Sequence, residues 1–117
     1  MWNSLGIVLV ASNTTPVIAT INQTTPTASY PCHSMLFQQV QTNTGKIYIC
    51  DRSNANITTG VGVLYVLPIP TLDGGVAAVL PSATVSVPTA NNAIDAHKIW
   101  IAADNNNDKC LVSAIVV

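Results

Sequence analysis

Charge is scarce in this sequence of 117 residues, and glutamate is absent altogether. Only 8% of the residues are charged, against about 25% in average globular proteins. A surface with so few charges must be covered by Ser, Thr, Asn and Gln or be buried against partners, because low charge weakens solubility. The composition therefore favours a protein that works inside an assembly over a free monomer.

Basic residues are too few and too scattered to predict a nucleic-acid-binding surface. The four are Lys46, Arg52, Lys98 and Lys109, and affinity for nucleic acid depends largely on neutralising phosphates with such residues. No polybasic run predicts contact with an anionic membrane, and no apolar run approaches the roughly 20 residues of a membrane-spanning helix. The N-terminus also lacks the basic start of a secretory signal peptide. We expect neither nucleic acid nor membrane as a partner.

Patterns for catalysis or metal binding are missing as well. His33 and His97 are the two histidines, and nothing near them marks a nucleophile, an oxyanion loop or a general base. The run Asp104–Asp108 matches the first ligand positions of a calcium loop, but the match ends at Lys109, where that loop needs Gly. Asn and Asp suit a tight turn, and a weak cation site is the alternative. We expect no enzymatic activity, no cofactor and no metal.

The three cysteines, Cys32, Cys50 and Cys110, do not follow a metal-binding pattern. Their spacing contains no CxxC, so zinc is not indicated. Cys50 and Cys110 lie in apolar, strand-like runs, where a buried cysteine acts as a small hydrophobic residue. We expect buried thiols, with a disulfide as the alternative.

What the sequence does contain is a succession of short apolar runs separated by turn residues. Leu36–Val40 and Lys46–Cys50 have strand composition and are joined by the turn residues Asn43–Gly45, which predicts a central β-hairpin. His97–Ala103 and Lys109–Val117 predict a second hairpin at the end of the chain. We expect Phe37, Ile47, Ile49 and Trp100 in the core, and Gly45 in the turn.

Two more stretches predict strands, and no stretch of the sequence predicts a helix of useful length. Gly62–Pro68 has strand composition, and its prolines mark an edge or an exit. In Pro81–Pro88 apolar and polar residues alternate, which is the clearest signal of a half-buried strand; Ala83, Val85 and Val87 share one face, and Ser82, Thr84 and Ser86 the other. The spacing predicts an all-β fold, a β-sandwich or barrel of about 7–8 short antiparallel strands with an extended N-terminal segment.

Residues 1–31 differ from residues 32–117, which form the predicted sandwich or barrel domain. Their proline and threonine content favours extended backbone, and the β-branched content of Ile7–Val10 favours a strand. Two interpretations remain open: early strands of the same domain, or an arm or strand that docks on a neighbouring subunit. Six residues are candidates for subunit contact because a soluble monomer would not leave them all exposed: Trp2, Leu5, Ile7, Val8, Leu9 and Val10.

Five motifs follow one another between Cys32 and the end of the chain. They are Phe37-Gln-Gln-Val40, Asn43-Thr-Gly-Lys-Ile-Tyr-Ile49, Leu80-Pro-Ser-Ala-Thr-Val-Ser-Val-Pro88, Lys98-Ile-Trp-Ile101 and Asn107-Asp-Lys-Cys-Leu-Val112. Their order resembles that of a group of small β-rich structural virion proteins of tailed bacteriophages. The resemblance implies a capsid decoration or cement protein that binds the capsid exterior, or else a neck, tail or fibre-base component.

The same resemblance implies a homo-oligomer whose partners are the major capsid protein or other virion proteins. Its location would be the virion, assembled in the host cytoplasm. From a different class of function, a glycan-binding adhesive β-module would need aromatic side chains grouped on one surface. The sequence has six aromatic residues, and we expect most of them in strand cores, which argues against that alternative.

Overall fold

Eleven β-strands and one short 3₁₀ turn make up the regular structure of the described residues. The computed structural model of the chain describes residues 2–19, 30–74, 76–86 and 94–116. The 3₁₀ turn is Ala96–Lys98, and the strands in chain order are β1 (Asn3–Val10), β2 (Val17–Ile18), β3 (Pro31–Gln39), β4 (Ile47–Cys50), β5 (Val63–Leu67), β6 (Thr71–Asp73), β7 (Val76–Val79), β8 (Ser82–Ser86), β9 (Ile94–Asp95), β10 (Trp100–Ala103) and β11 (Asp108–Val116).

Two antiparallel sheets pack face to face as a β-sandwich, so the predicted all-β fold is confirmed. Sheet A has the order β1-β11-β3-β8, with β9 beside β3, and sheet B has the order β2-β10-β4-β5. β6 and β7 form a separate hairpin that turns at Gly74, whose φ is +61°. The described strands outnumber the predicted ones because β2, β6 and β9 have only two or three residues each, too few to show a period of two.

The core lies between the sheets and is built from alternate residues of each strand. Phe37, Ile47 and Ile49 are fully buried there, as predicted. Ala83 and Val85 of β8 pack against the same core, whereas Ser82, Thr84 and Ser86 are exposed. The alternation predicted for this strand is therefore confirmed, except at Val87, which lies outside the described residues.

Both predicted hairpins are wrong, because in each of them the two strands belong to different sheets. β3 lies in sheet A and β4 in sheet B, while β10 lies in sheet B and β11 in sheet A. Each connection is thus a β-arch, which crosses from one sheet to the facing one. The strands pair across the arches instead, β3 with β11 and β4 with β10. The hydropathy pattern does not distinguish a hairpin from a β-arch, since strands joined in either way bury every second side chain.

Hydrogen bonds between the two arches explain why the chain crosses over at these points. The amide of Asn43 pairs with the main chain of Lys109 in both directions: its Nδ2 donates to the carbonyl oxygen, and its Oδ1 accepts from the backbone N–H at 2.8 Å. Asn43 Nδ2 also donates to Gln39 Oε1, and Gln39 Nε2 donates to the carbonyl oxygens of Gly45 at 3.2 Å and Leu67 at 3.1 Å. The hydrogen bonds of these two buried side-chain amides hold the connection in place, as a tight turn would in a hairpin.

Two carboxylates of the second arch hold the backbone of the first. Asp108 accepts from the backbone N–H groups of Thr44 at 3.2 Å and Gly45 at 3.0 Å. Asp104 accepts from the backbone N–H of Lys46 at 3.3 Å and from the hydroxyl of Tyr48 at 2.7 Å. Hydrogen bonds to charged acceptors are stronger than neutral ones, so the acidic residues of the Asn-rich run act as anchors between the arches. We call Gln39, Asn43, Asp104 and Asp108 the arch cluster.

Gly45 is needed at this position because of crowding. A Cβ atom placed on it would lie 2.7 Å from Asn105 Nδ2 and 2.9 Å from the Cβ of Asp104. Contacts under 3.0 Å require atoms to move, and Asp104 is held by its own hydrogen bonds. The predicted turn glycine therefore lies in an arch, where it allows close approach of the neighbouring arch.

The strand predicted from His97 begins later, at Trp100. Asp95 accepts hydrogen bonds from the backbone N–H groups of Tyr30 and His97, both at 3.0 Å. Burial alone would raise the pKa of Asp95, but these two N–H groups, together with electrostatic attraction to His97 and Lys98, lower the pKa below its usual value. A carboxylate that accepts from a backbone N–H two residues later favours a turn over a strand.

The outer face of sheet B is covered by the long connection between β4 and β5. Ala55 and Ile57 of this connection lie in a second, smaller hydrophobic cluster. Its other members are Tyr48, Cys50, Val63, Trp100 and Ala102. Trp100, predicted in the core, is half-buried in this outer cluster instead of between the sheets. The covering loop explains why all four residues of β4 are buried.

All three cysteines are buried free thiols, as expected. Cys32 and Cys110 lie in the core between the sheets, and Cys50 lies under the loop. Burial raises the pKa of Cys110 to about 12, and burial together with the charge of Asp51 raises that of Cys50 to about 11. Burial, with a hydrogen bond to Asp104, raises the pKa of Tyr48 to about 12.

These shifts predict a loss of stability at alkaline pH. A thiol whose pKa is higher in the folded state stabilises the fold fully below its unfolded pKa of 9.0, and this contribution is lost as pH rises through the folded value. For Cys110 we expect a loss of about 2 kcal/mol between pH 8 and pH 10.5. Urea unfolding at both pH values should show that the Cys110→Ala variant loses less stability by this amount. Equal losses in the two proteins would contradict the prediction.

Candidate functional site

The side chains in the part of the chain that the structure describes do not group into a metal-binding cluster. Those residues contain no cluster of three or more His, Cys, Asp or Glu that could hold a metal ion. The carboxylates of Asp104 and Asp108, which matched calcium ligands by position, accept hydrogen bonds from Tyr48 and from the backbone of the first arch. The Asn-rich run is therefore an arch whose acidic groups point into the protein.

The two histidines lie on different elements of the fold. His97 is buried in the 3₁₀ turn, and its ring centroid lies 5.8 Å from that of Tyr30. His33 is half-buried in β3, where the register with β11 shifts between Ile115 and Val116. The positions of both histidines follow from side-chain packing and from where the neighbouring strands end.

The six predicted contact residues lie on or beside β1, which pairs with β11 of the same chain. They divide between the two faces of sheet A. Val8 and Val10 are buried in the core, and Leu5 packs partly against it. Trp2, Ile7 and Leu9 are 45%, 53% and 47% exposed. Only this last group is free to meet another protein without opening the sandwich; residues 20–29 of the predicted arm lie outside the described residues.

The outer face of sheet A extends from β1 across the whole sheet and carries almost no charge. Neighbours across the strands place Ile7 beside Leu111, Leu111 beside Gln38, and Ser113 beside Leu36. Every side chain of this face is exposed or half-buried. Its members are Ser4, Ile7, Leu9, Ser34, Leu36, Gln38, Ser82, Thr84, Ser86, Lys109, Leu111, Ser113 and Ile115. Lys109 is the one charged residue among them.

A second exposed apolar stretch lies on β5, whose final prolines predicted an edge or an exit. β5 is the last strand of sheet B, so the predicted edge is confirmed. Leu64, Tyr65 and Val66 are exposed there. Their exposure was not predicted, because continuous apolar residues are typical of a strand covered on both faces.

The exposed aromatic residues do not form a common surface. Trp2 precedes β1 at one end of sheet A, and Tyr65 belongs to β5, which packs near β8 at the opposite end of the sandwich. The other four aromatic side chains are buried or half-buried: Tyr30, Phe37, Tyr48 and Trp100. This arrangement offers no stacked platform for a sugar ring.

The described residues include no helix that is long and apolar enough to cross a membrane. Comparison with known protein families, with curated proteins and with solved structures finds no match to this chain. The functional argument therefore starts from the surfaces described above, of which the outer face of sheet A is the largest.

Proposed function

We propose that this protein is a structural virion subunit of a bacteriophage that binds the capsid exterior as a decoration or cement protein. The observation that carries the proposal is the outer face of sheet A, where Lys109 is the one outward-facing charged residue of β1, β11, β3 and β8. The order of sequence motifs, which resembles that of small phage virion proteins, supports the same class. The proposed partners are the major capsid protein or other virion proteins, and the proposed location is the assembled particle.

The chemistry of this face suits permanent contact with another protein. Burying charged groups is costly unless they are paired, and burying uncharged groups costs much less. Leu36, Leu111 and Ile115 offer apolar area, worth roughly 25 cal/mol for each Å² removed from water. Ser and Thr hydroxyl groups, such as the Ser34–Ser86 pair at 2.8 Å, remain able to hydrogen-bond a partner. A protein with several such contacts on a shell remains bound when one is lost.

The proposal predicts that the protein copurifies with phage particles and that its attachment resists salt. Particles purified on a density gradient should contain the chain at a fixed ratio to the coat protein, before and after a wash in 1 M NaCl. Salt screens attraction between exposed charges, and a nearly uncharged face has little such attraction to lose. A particle map would separate a capsid position from a neck, tail or fibre-base position.

Substitutions on the outer face test whether it is the binding surface. Leu36→Lys together with Leu111→Lys should reduce occupancy on particles at least about tenfold, because two charges would enter an apolar contact. Val61→Lys is the matched control, since Val61 is exposed in the loop that covers the other sheet. Circular dichroism checks that each variant is folded. Absence of the chain from particles, combined with clear binding on a glycan array, would replace the proposal with the adhesive module.

A further inference from the structure

The four outermost strands of the sandwich differ in how they are protected against pairing. β2, β5 and β8 have two, five and five residues, and each adjoins a proline, which lacks a backbone donor; these are Pro16, Pro68 and Pro81. β1 has eight residues. Short strands, prolines and charges are the usual means by which proteins block edges. β1 is thus the longest of these four edge strands.

β1 also lacks the other protective features over most of its length. Asn3–Val10 contains no charged residue and no proline. A bulge between Ser4 and Gly6 disturbs its first part, where Gly6 has a φ of +90° and its N–H is bound by Ser4 Oγ at 3.1 Å. Beyond the bulge, Ile7–Val10 pairs with β11 without a break. Its other edge pairs with no described strand.

The geometry points to a second copy of this chain as the partner of that edge, with the two β1 strands antiparallel about a two-fold axis. Sheet A of one copy would then continue into sheet A of the other. Antiparallel self-pairing closes after two subunits and supplies backbone hydrogen bonds to both edges at once. Identical charges facing each other would oppose it, and β1 has none. The inference deepens the proposed function by naming how its subunits meet.

The size of the contact meets the requirement of a specific dimer. Eight strand residues span about 27 Å. Two sheets about 10 Å apart, with their outward side chains, present an edge about 20 Å deep, within the 26 Å of the molecule's shortest extent. Two such surfaces bury about 1,000 Å² in total, the lower bound of specific interfaces.

Exposed side chains of β1 add to the backbone contact. Ile7 and Leu9 lie on the outer face of sheet A, next to Leu111 and Lys109 of β11. In an antiparallel pair, these side chains of one copy lie beside those of the other, at cross-strand distances of about 4.5–5.5 Å between Cβ atoms. The dimer therefore joins two apolar strips into one and doubles the outer face available to a further partner.

The mass of the purified protein in solution tests this inference. Sedimentation velocity should give twice the 12.3 kDa of one chain. Ile7→Lys together with Leu9→Lys places like charges across the two-fold axis and should raise the dimer dissociation constant at least about tenfold. Leu64→Lys together with Val66→Lys is the matched control, because those residues are similarly exposed on β5, and it should leave the mass unchanged.

A charge-reversal mixture distinguishes a lost contact from a damaged fold. Ile7→Glu with Leu9→Glu should also give monomers, and mixing it with the lysine variant should restore dimers through opposite charges. A monomeric wild-type protein, an odd-numbered oligomer, or a dimer broken by the β5 lysines alone would overturn the inference. Because the measurement needs no phage particle, a monomer that still copurifies with particles would refute the dimer and leave the proposed function intact.

Discussion

Replacing Asn43 by alanine is expected to lower the free energy of unfolding by about 3 kcal/mol. Asn43 is buried, and both atoms of its amide are used. Without it, the backbone N–H and the carbonyl oxygen of Lys109 and the Oε1 atom of Gln39 each lose a hydrogen bond. An unsatisfied buried polar group costs about 1–3 kcal/mol, and three groups lose a partner here. Urea unfolding followed by circular dichroism measures the change.

The control for this substitution comes from the same Asn-rich region. Asn105 is exposed and donates one side-chain hydrogen bond, to Thr44 Oγ1 at 3.0 Å. Asn105→Ala should change the free energy of unfolding by less than about 0.5 kcal/mol. Equal effects at Asn43 and Asn105 would show that the arch cluster does not hold the two arches together.

Replacing Phe37 by alanine is expected to lower the free energy of unfolding by about 4 kcal/mol. Phe37 is fully buried at the centre of β3, which pairs with β11 on one side and β8 on the other. Because neighbours on all sides are fixed by hydrogen-bonded strands, the space left by the ring would not close fully. The lost transfer energy and the cavity both contribute to the effect.

The neighbouring residue of β3 provides the control. Leu36 points to the outer face of sheet A and is half-buried, so Leu36→Ala should cost less than about 1.5 kcal/mol. The two substitutions differ by one position along the strand and therefore test which face of sheet A is covered. A larger effect at Leu36 than at Phe37 would contradict the face-to-face packing of the sheets.

β1 contributes both to the stability of the domain and to the proposed assembly role. Val8 and Val10 belong to the core, while Ile7 and Leu9 are exposed on the other face. Removing the whole strand would damage the core along with any contact to another subunit. Substitutions confined to the exposed face are for this reason the informative tests of assembly.

Much of the secondary structure could be predicted from the sequence because each strand is defined by near neighbours. The alternation in β8 follows from a period of two, and the strand at Ile7–Val10 was predicted from its β-branched content. Phe37, Ile47 and Ile49 were recognisable as core residues because large apolar side chains in such runs are normally buried. That the scarcity of charge reflects surfaces that meet other proteins stays a prediction.

The pairing of the strands was decided by the tertiary structure alone. Met35–Asp51 has the composition of a hairpin, yet its two strands lie in facing sheets, since Asn43 and Gln39 bond to groups far away in the chain. The main-chain partners of the Asn43 and Asp108 side chains are more than 60 positions distant, and no local pattern records such a distance. Which strands stand at an edge depends on the same long-range pairing.

For this protein the sequence by itself determined an all-β domain, its core side chains and a surface with few charges, because these depend on composition and on a period of two. Only the tertiary structure decided that the chain crosses between sheets in arches, that Leu64, Tyr65 and Val66 are exposed, and that β1 pairs along one edge only among the described strands. The reason is physical: burial of alternate side chains is a local property, whereas the neighbour of a strand is chosen by hydrogen bonds between distant segments.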